Sequence, residues 1–463
     1  MRKPPEISPQ DVTPQKQDDI ITQVREYKLI TPLFGGGVTA GEGDPVTLIR
    51  GTEIRGLLRF WWRACRAGNY KTVEEMKKAE DKIWGAANKK PDENKSANKK
   101  NEETFLQEKS IGTVQLVVKQ QQDEVSPTPY SPNIAPPYAA FPLQENRREN
   151  RPLKNVYRDV SFTLTISFPK DYKQEVEAAL WAWETFGGIG ARTRRGFGAL
   201  RCISIKENEE SVPVNLPEAS EKGVKEWLDT NLETHVSEGS WPRNIPHLSK
   251  KIEEGKNCKL IFRQEKYNEK ADDLWYDLIE ALKRFRQARY ASTRPNAKNP
   301  GRSMWSEPST IRDSDYTHQS YLYHRKPIPD PPIKKFPRAA FGLPIIFQFK
   351  DSNKEKPPRP NDPESDPRKT VLELKEFERF ASPLILKPLA CQDNDTVGLA
   401  IILEGTSLDS QQLVLMTQEG KRDQWNVEAF LASDETLELR DEKGKKIKLD
   451  SKTDVLQAFI KYL

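Results

Sequence analysis

Three groups of residues in this chain have the types and spacing to do chemistry. The densest is Gly187-Gly188-Ile189-Gly190-Ala191-Arg192-Thr193-Arg194-Arg195-Gly196-Phe197-Gly198, which packs five glycines and three arginines into twelve residues. Glycine takes backbone conformations closed to other residues and leaves no Cβ between main chain and ligand, so Gly188 and Gly190 offer close approach. Arg192, Arg194 and Arg195 offer planar donors matched to phosphate oxygens. A loop of this kind suits a polyanion. The competing reading is a helix-to-strand connection with a glycine cap, but a cap needs one or two glycines and no arginine.

The second group lies on a helix. Ile54, Leu57, Leu58, Trp61 and Cys65 recur at the spacing of one buried helical face, and Arg55, Arg59 and Arg63 recur every four residues on another. Four residues advance a helix by about 6 Å, near the separation of successive phosphates. Within this segment only Glu53 is acidic, and it falls in the first turn, where a carboxylate suits the helix dipole. On this reading the arginines lack acidic partners and face phosphates; the alternative is a solvated face whose stems cover the tryptophans. The third group is the run from Lys283 to Arg302, which has seven basic residues, Arg286, Arg289 and Arg294 among them, and no acidic one. Phe285, Tyr290 and Trp305 are interleaved, which suits a single strand whose phosphates meet the charges while its bases stack. A helix C-terminus favouring cations, followed by a solvated loop, is the alternative.

Catalytic chemistry has little to work with. The chain has four histidines, His235, His247, His318 and His324. His318 and His324, close to Tyr316, Tyr321 and Tyr323, are the best candidates for general acid or base, but six residues apart in a polar stretch they form no motif. Cys65, Cys202, Cys258 and Cys391 are far apart, with no CxxC pair, so neither a zinc site nor a disulfide framework is indicated. No GK[ST] phosphate loop is present. The expectation is no catalytic residue, no metal and no cofactor.

Stepping outward, 463 residues suffice for two or three domains, and 35% hydrophobic residues for real cores. Charged residues at 31%, with 35 prolines, imply long solvated insertions, and a net charge of +5 permits a nucleic-acid partner without demanding one. No apolar run of about 18 residues occurs, so no membrane segment is expected, and the location is expected to be cytoplasmic.

The elements follow in order. Residues 1–20 read as a disordered tail. A strand is expected over 27–34, the arginine-bearing helix over 52–66, a second helix over 72–87, and a low-complexity insertion over 88–110. A strand follows over 113–118, then a long irregular stretch over 122–157, an alternating strand over 159–168, a helix over 172–186, the glycine-rich loop, and a strand over 198–205. Strand, helices, strand, strand, helix, strand is the βαββαβ order of a ferredoxin-like or RRM-like domain, assigned to 21–206. A mixed linker covers 207–255. A second, divergent domain of the same plan covers 256–463, with strands at 258–262 and 341–349, a helix at 272–290, an insertion at 351–369, buried strands at 380–389 and 397–403, and a final helix at 454–463. The fold class is α+β, two ferredoxin-like domains with long disordered or irregular insertions.

At the glycine-rich loop the sequence resembles the RAMP superfamily of CRISPR-associated proteins. Ile30-Thr31-Pro32-Leu33-Phe34-Gly35-Gly36-Gly37, Ile54-Arg55-Gly56-Leu57-Leu58-Arg59-Phe60-Trp61-Trp62-Arg63, Phe341-Gly342-Leu343-Pro344-Ile345 and Ala381-Ser382-Pro383-Leu384-Ile385-Leu386 resemble, more narrowly, the first-numbered two-domain RAMP subunits of type III-B (Cmr) effectors. The resemblance implies a non-catalytic subunit in antiviral defence that caps a ribonucleoprotein filament near the guide RNA 3′ portion and the target RNA paired to it, with other RAMP subunits as partners. It places RNA contacts on Gly188, Gly190, Arg192, Arg194, Arg195, Arg55, Arg59 and Arg63. A CRISPR-associated endoribonuclease and a structural adaptor without RNA contact are the alternatives.

Overall fold

The computed structural model describes residues 19–37, 41–44, 47–86, 112–121, 125–147, 150–262, 271–289, 303–313, 335–348, 369–375, 379–406, 408, 413–417, 424–441 and 443–463. The expected insertion at 88–110 lies outside them, as does that at 351–369 apart from its last residue. In the first half run β1 (Ile20–Leu29), α1 (Gly51–Arg66), α2 (Val73–Trp84), β2 (Gln115–Gln120), the short β3 (Thr128–Pro129) and β4 (Asn155–Val156), and β5 (Ser161–Pro169). They are followed by α3 (Lys173–Phe186), β6 (Leu200–Glu207), β7 (Glu210–Val212) and α4 (Glu221–His235). One sheet has the order β2-β5-β1-β6-β7, with every neighbouring pair antiparallel. Its buried face meets α1 and α3. Phe162, Leu164, Ile166 and Phe168 alternate inward along β5 and are fully buried, as their spacing predicts.

β1 begins earlier than expected. Its inward residues are Ile21, Gln23, Arg25, Tyr27 and Leu29, all buried, and the polar Gln23 and Arg25 break the apolar alternation that would mark a strand. They belong to a buried network. Arg25 Nη1 donates to Glu184 at 3.0 Å and Nη2 to Glu177 at 2.6 Å, while Tyr27 Oη donates to Glu184 at 2.5 Å. Residues 31–34, expected to prolong the strand, leave the sheet; Leu33 keeps a bridge to Tyr157, and the Pro32 carbonyl accepts from the Gly198 amide at 2.9 Å. The stretch expected as a linker is structured: α4 lays Val224, Leu228 and Leu232 against the core that α3 shares. The irregular stretch over 122–157 is anchored through Tyr130, Ala139, Ala140 and Leu143, which are buried in a second core.

The second half contains β8 (Cys258–Ile261), α5 (Ala271–Gln287), α6 (Ser306–Asp313), β9 (Ile345–Phe347), β10 (Thr370–Leu374), β11 (Leu384–Ala390) and β12 (Thr396–Ile402). After them come β13 (Leu413–Thr417), β14 (Gln424–Val427), β15 (Thr436–Arg440), β16 (Lys446–Asp450) and α7 (Val455–Tyr462). β11-β12-β8 form one antiparallel sheet, β14-β13-β10-β9 another, and β15-β16 a hairpin. β11 is buried along its whole length. Ile385 and Leu389 join the core of the first half, Leu384 and Leu386 that of the second. A strand covered on both faces reads as a continuous apolar run, which is how 384–390 reads.

Lys387 interrupts that run. It is 1% exposed, and its Nζ donates to the Gly187 carbonyl at 2.8 Å and the Glu184 carbonyl at 3.2 Å. These carbonyls end α3 and have no helical partner, and a cation there also meets the negative end of the helix dipole. Burial pushes the Lys387 ammonium down to about 7, with Glu184 opposing the shift. An unfolded lysine holds its proton to about 10.4. Between these values the unfolded chain binds more protons, so folding stability rises with pH. Denaturant unfolding at pH 7 and pH 9 is expected to show a gain of about 2 kcal/mol that Lys387→Met abolishes; an equal gain in the variant would refute the assignment.

Candidate nucleic-acid interface

Arg55, Arg59 and Arg63 of α1 face α2 rather than solvent. Arg59 donates from Nε to Glu80 at 2.8 Å, from Nη2 to Asp81 at 3.0 Å and from Nη1 to the Gly85 carbonyl at 2.6 Å. Arg63 donates to the same Glu80, which is 3% exposed. Arg55 donates to the carbonyls of Trp84 at 2.9 Å and Val114 at 3.0 Å. The expectation of a ridge without acidic partners is therefore corrected, because the carboxylates come from the next helix and not from α1 itself. Arg59 spends all three of its nitrogens on α2 and the residue after it, while Arg55 and Arg63 each use one nitrogen there.

The glycine-rich loop is also packed more tightly than expected. Gly188 is buried against Gly198, and Gly196, at φ +89°, sits where a Cβ would meet Trp275 Nε1 at 2.3 Å. Gly190, at φ +83°, comes so close to the Phe34 carbonyl that only glycine fits. Its amide donates to Glu53 at 2.8 Å, so Glu53 joins α1 to the loop as well as lying in the first turn. Burial raises the Glu53 carboxyl above its usual range, against the pull of the Gly190 amide and Arg50. Beside it an open cleft of about 540 Å³ is lined by Gly36, Gly37, Gly41, Arg50, Thr52, Glu53, Gly190 and Ala191. It is the start of α1, not its arginine ridge, that meets the loop. Arg50, at the N-cap, donates to the Gly36 carbonyl, leaving its Nε buried without a partner.

The loop arginines divide their work. Arg194 Nη1 donates to the Ser382 carbonyl, and its guanidinium lies 5.4 Å from the Phe60 ring centre. Arg195 donates to the Leu384 carbonyl at 2.7 Å, to Ser382 Oγ at 2.9 Å and to the Phe341 carbonyl at 3.4 Å. Both bind backbone of the second half. Arg192 instead is exposed, at φ +62°, and its side chain has no hydrogen-bond or ion-pair partner among the described residues. Arg286, near the end of α5, likewise spends no side-chain donor among the described residues. Its guanidinium lies 6.0 Å from the Tyr138 ring centre and 5.5 Å from that of Phe341. Arg195 feels this company: burial, then Arg286, Arg192 and Arg194, weaken its hold on the proton, pushing it down to about 9. Tyr138 opposes that shift, and no carboxylate contributes to it.

Of the basic run, Lys283 pairs with Glu280 at 2.8 Å, and Arg284 acts on Asp441 and Tyr462. Arg289 donates to Gln287 at 3.1 Å. Arg294 lies outside the described residues, as do His318 and His324. His235 is stacked on Trp181 at 5.1 Å and pushed down to about 4 by burial; His247 is stacked on Trp241 at 4.1 Å. The sequence reading missed Arg50 and Tyr138. The signal for Tyr138 was there, in the prolines and tyrosines of a stretch too long for a turn. Arg59→Ala is expected to cost about 3 kcal/mol of folding stability by uncovering the buried Glu80 carboxylate, measured by denaturant unfolding, and Arg59→Lys to recover only part of it, since an ammonium cannot span three acceptors. Unchanged stability would return the ridge to solvent.

The RAMP superfamily profile matches residues 26–201. The CRISPR system Cmr subunit Cmr1-2 of Pyrococcus furiosus is 27% identical over 198 residues, covering 39% of this chain and 95% of that protein. Among solved structures, Cmr1 from Pyrococcus furiosus in its apo form aligns at 15% identity and a TM-score of 0.44, over 88% of this chain and 93% of its own. A chain of a type III-B Cmr-β complex bound to cognate target RNA and AMPPnP aligns at 14% identity and a TM-score of 0.42, over 83% and 94%. With the glycine-rich loop closing the matched region, residues 26–201 match the RAMP superfamily profile, and the chain is similar to a Cmr subunit of a CRISPR system.

Proposed function

We propose that the chain is a non-catalytic, RNA-binding subunit that caps a type III-B CRISPR ribonucleoprotein effector, contacting the guide RNA 3′ portion, the target RNA paired to it, or both. The observation that carries this reading is the set of arginines around the glycine-rich loop. Arg192 and Arg286 have unspent donors, Arg195 is burdened by both, and no carboxylate relieves it. Uncompensated positive charge of this kind favours a polyanion. The connectivity supports the fold half of the proposal. Strands in the order β2-β5-β1-β6, with α1 after β1 and α3 after β5, have the βαββαβ plan of a ferredoxin-like domain over 21–206. β8, α5, β11, β12 and α7 repeat that plan in part over 256–463, with 207–255 bridging the two.

A structural adaptor that never touches RNA is the second reading, favoured by the ion pairs that occupy Arg59 and Arg63. Titration of the purified chain with single-stranded RNA separates the two. Affinity is expected to fall about twentyfold between 50 and 200 mM salt, as when roughly three phosphates are neutralised, and the RNA is expected to stay intact with a divalent metal present. Absence of binding at low salt would favour the adaptor, and cleavage lost in His318→Ala would make the chain an endoribonuclease.

A further inference from the structure

The seam between the halves contains more than a latch. Arg195, while bonding the Phe341 carbonyl, brings the loop against the residue whose ring lies beside Arg286. Arg286 lies within cation–π reach of two aromatic rings, those of Tyr138 and Phe341, contacts that favour a planar guanidinium without consuming its donors. The helix end that carries it is anchored too. Arg338 Nη1 donates to the Arg286 carbonyl at 2.9 Å, and Arg338 Nε to Glu307, which is fully buried, at 3.1 Å. Arg192 opens the turn whose end Arg195 fixes, its carbonyl accepting from the Arg195 amide at 2.8 Å. It occupies a left-handed conformation that glycine or asparagine adopts more easily. An arginine at such a position carries backbone strain while its side chain stays exposed.

We propose that Arg192 of the first half and Arg286 of the second form one clamp for a single phosphodiester of a ribonucleotide strand crossing the seam, with Tyr138 positioning Arg286. The clamp rests on the RNA reading above and adds to it that neither half alone completes the site. Neither guanidinium donates a hydrogen bond to a described group of the protein, so removing them leaves no buried acceptor unpaired.

The test is the affinity of the full chain for a labelled single-stranded oligoribonucleotide across a salt series. Arg192→Gly and Arg286→Ala are each expected to weaken binding about tenfold and to reduce the salt slope by about 0.7. Because both grip one phosphate, the double variant is expected to lose far less than the product of the two effects. Arg286→Lys, which keeps the charge and loses the planar fork, is expected to restore only a minor part. Arg192→Gly relieves the backbone, so its thermal midpoint is expected to be equal or higher while affinity drops, a split that a purely structural arginine would not show. Affinities unchanged in the single variants, or fully multiplicative losses in the double, would overturn the clamp. Failure of the unaltered chain to bind at low salt would instead overturn the RNA reading on which it rests.

Discussion

The satisfaction of backbone carbonyls by cations at the seam is the constraint on which the architecture turns. Lys387 closes the end of α3, Arg195 closes the start of β11, and Arg194 takes the Ser382 carbonyl. Arg201, 7% exposed, takes the carbonyls of Cys391 and Asp395, each at 2.6 Å. These oxygens lie at or near the ends of a helix or strand, where the regular ladder runs out, although the Asp395 carbonyl also accepts from the Cys391 amide. A buried carbonyl left without any donor would cost about 1–3 kcal/mol. The cations remove that cost and, because their stems are long, they do so from the opposite half.

That economy explains why β11 is buried on both faces. It belongs by hydrogen bonding to the second half, through β12, and by packing to both, through Ile385 on one side and Leu386 on the other. The glycine-rich loop is pressed against it. Trp275 of α5 donates to the Arg195 carbonyl at 2.5 Å and stands where Gly196 would otherwise carry a Cβ. The loop thus works as a joint before it works as a binding element. Only its outward turn, with Arg192, and the cleft beside Gly190 keep an open face.

Two kinds of arginine result, and their energetics differ. A guanidinium that donates to carboxylates or carbonyls inside the fold, such as Arg25, Arg59 or Arg195, costs stability when removed because its acceptors are stranded. One with unspent donors costs little when removed and has binding energy to give to a ligand. Arg192 and Arg286 are of the second kind. The pairing of Arg59 and Arg63 with Glu80 shows how easily the two are confused in a sequence, since the residue that decides the matter is 17 to 21 positions away.

Much of the fold was legible because its signals are local. The fully buried alternation in β5, the 3.6-residue period of α1 and α5, the apolar runs of β11 and β12 and the aspartate that caps α7 each depend on residues a few positions apart. β1 and α4 were misread because part of what they bury is polar or is covered by an element far along the chain. Gln23 and Arg25 are core residues only because Glu177 and Glu184 lie across from them, and α4 has a core to join only once α3 is in place. For the site, the sequence by itself determined that the arginines of residues 192–195 would crowd around glycines, since composition and spacing are properties of the chain. Which of them is spent on carbonyls and which stays open was decided by tertiary structure alone, because a donor's partner is set by distance in space.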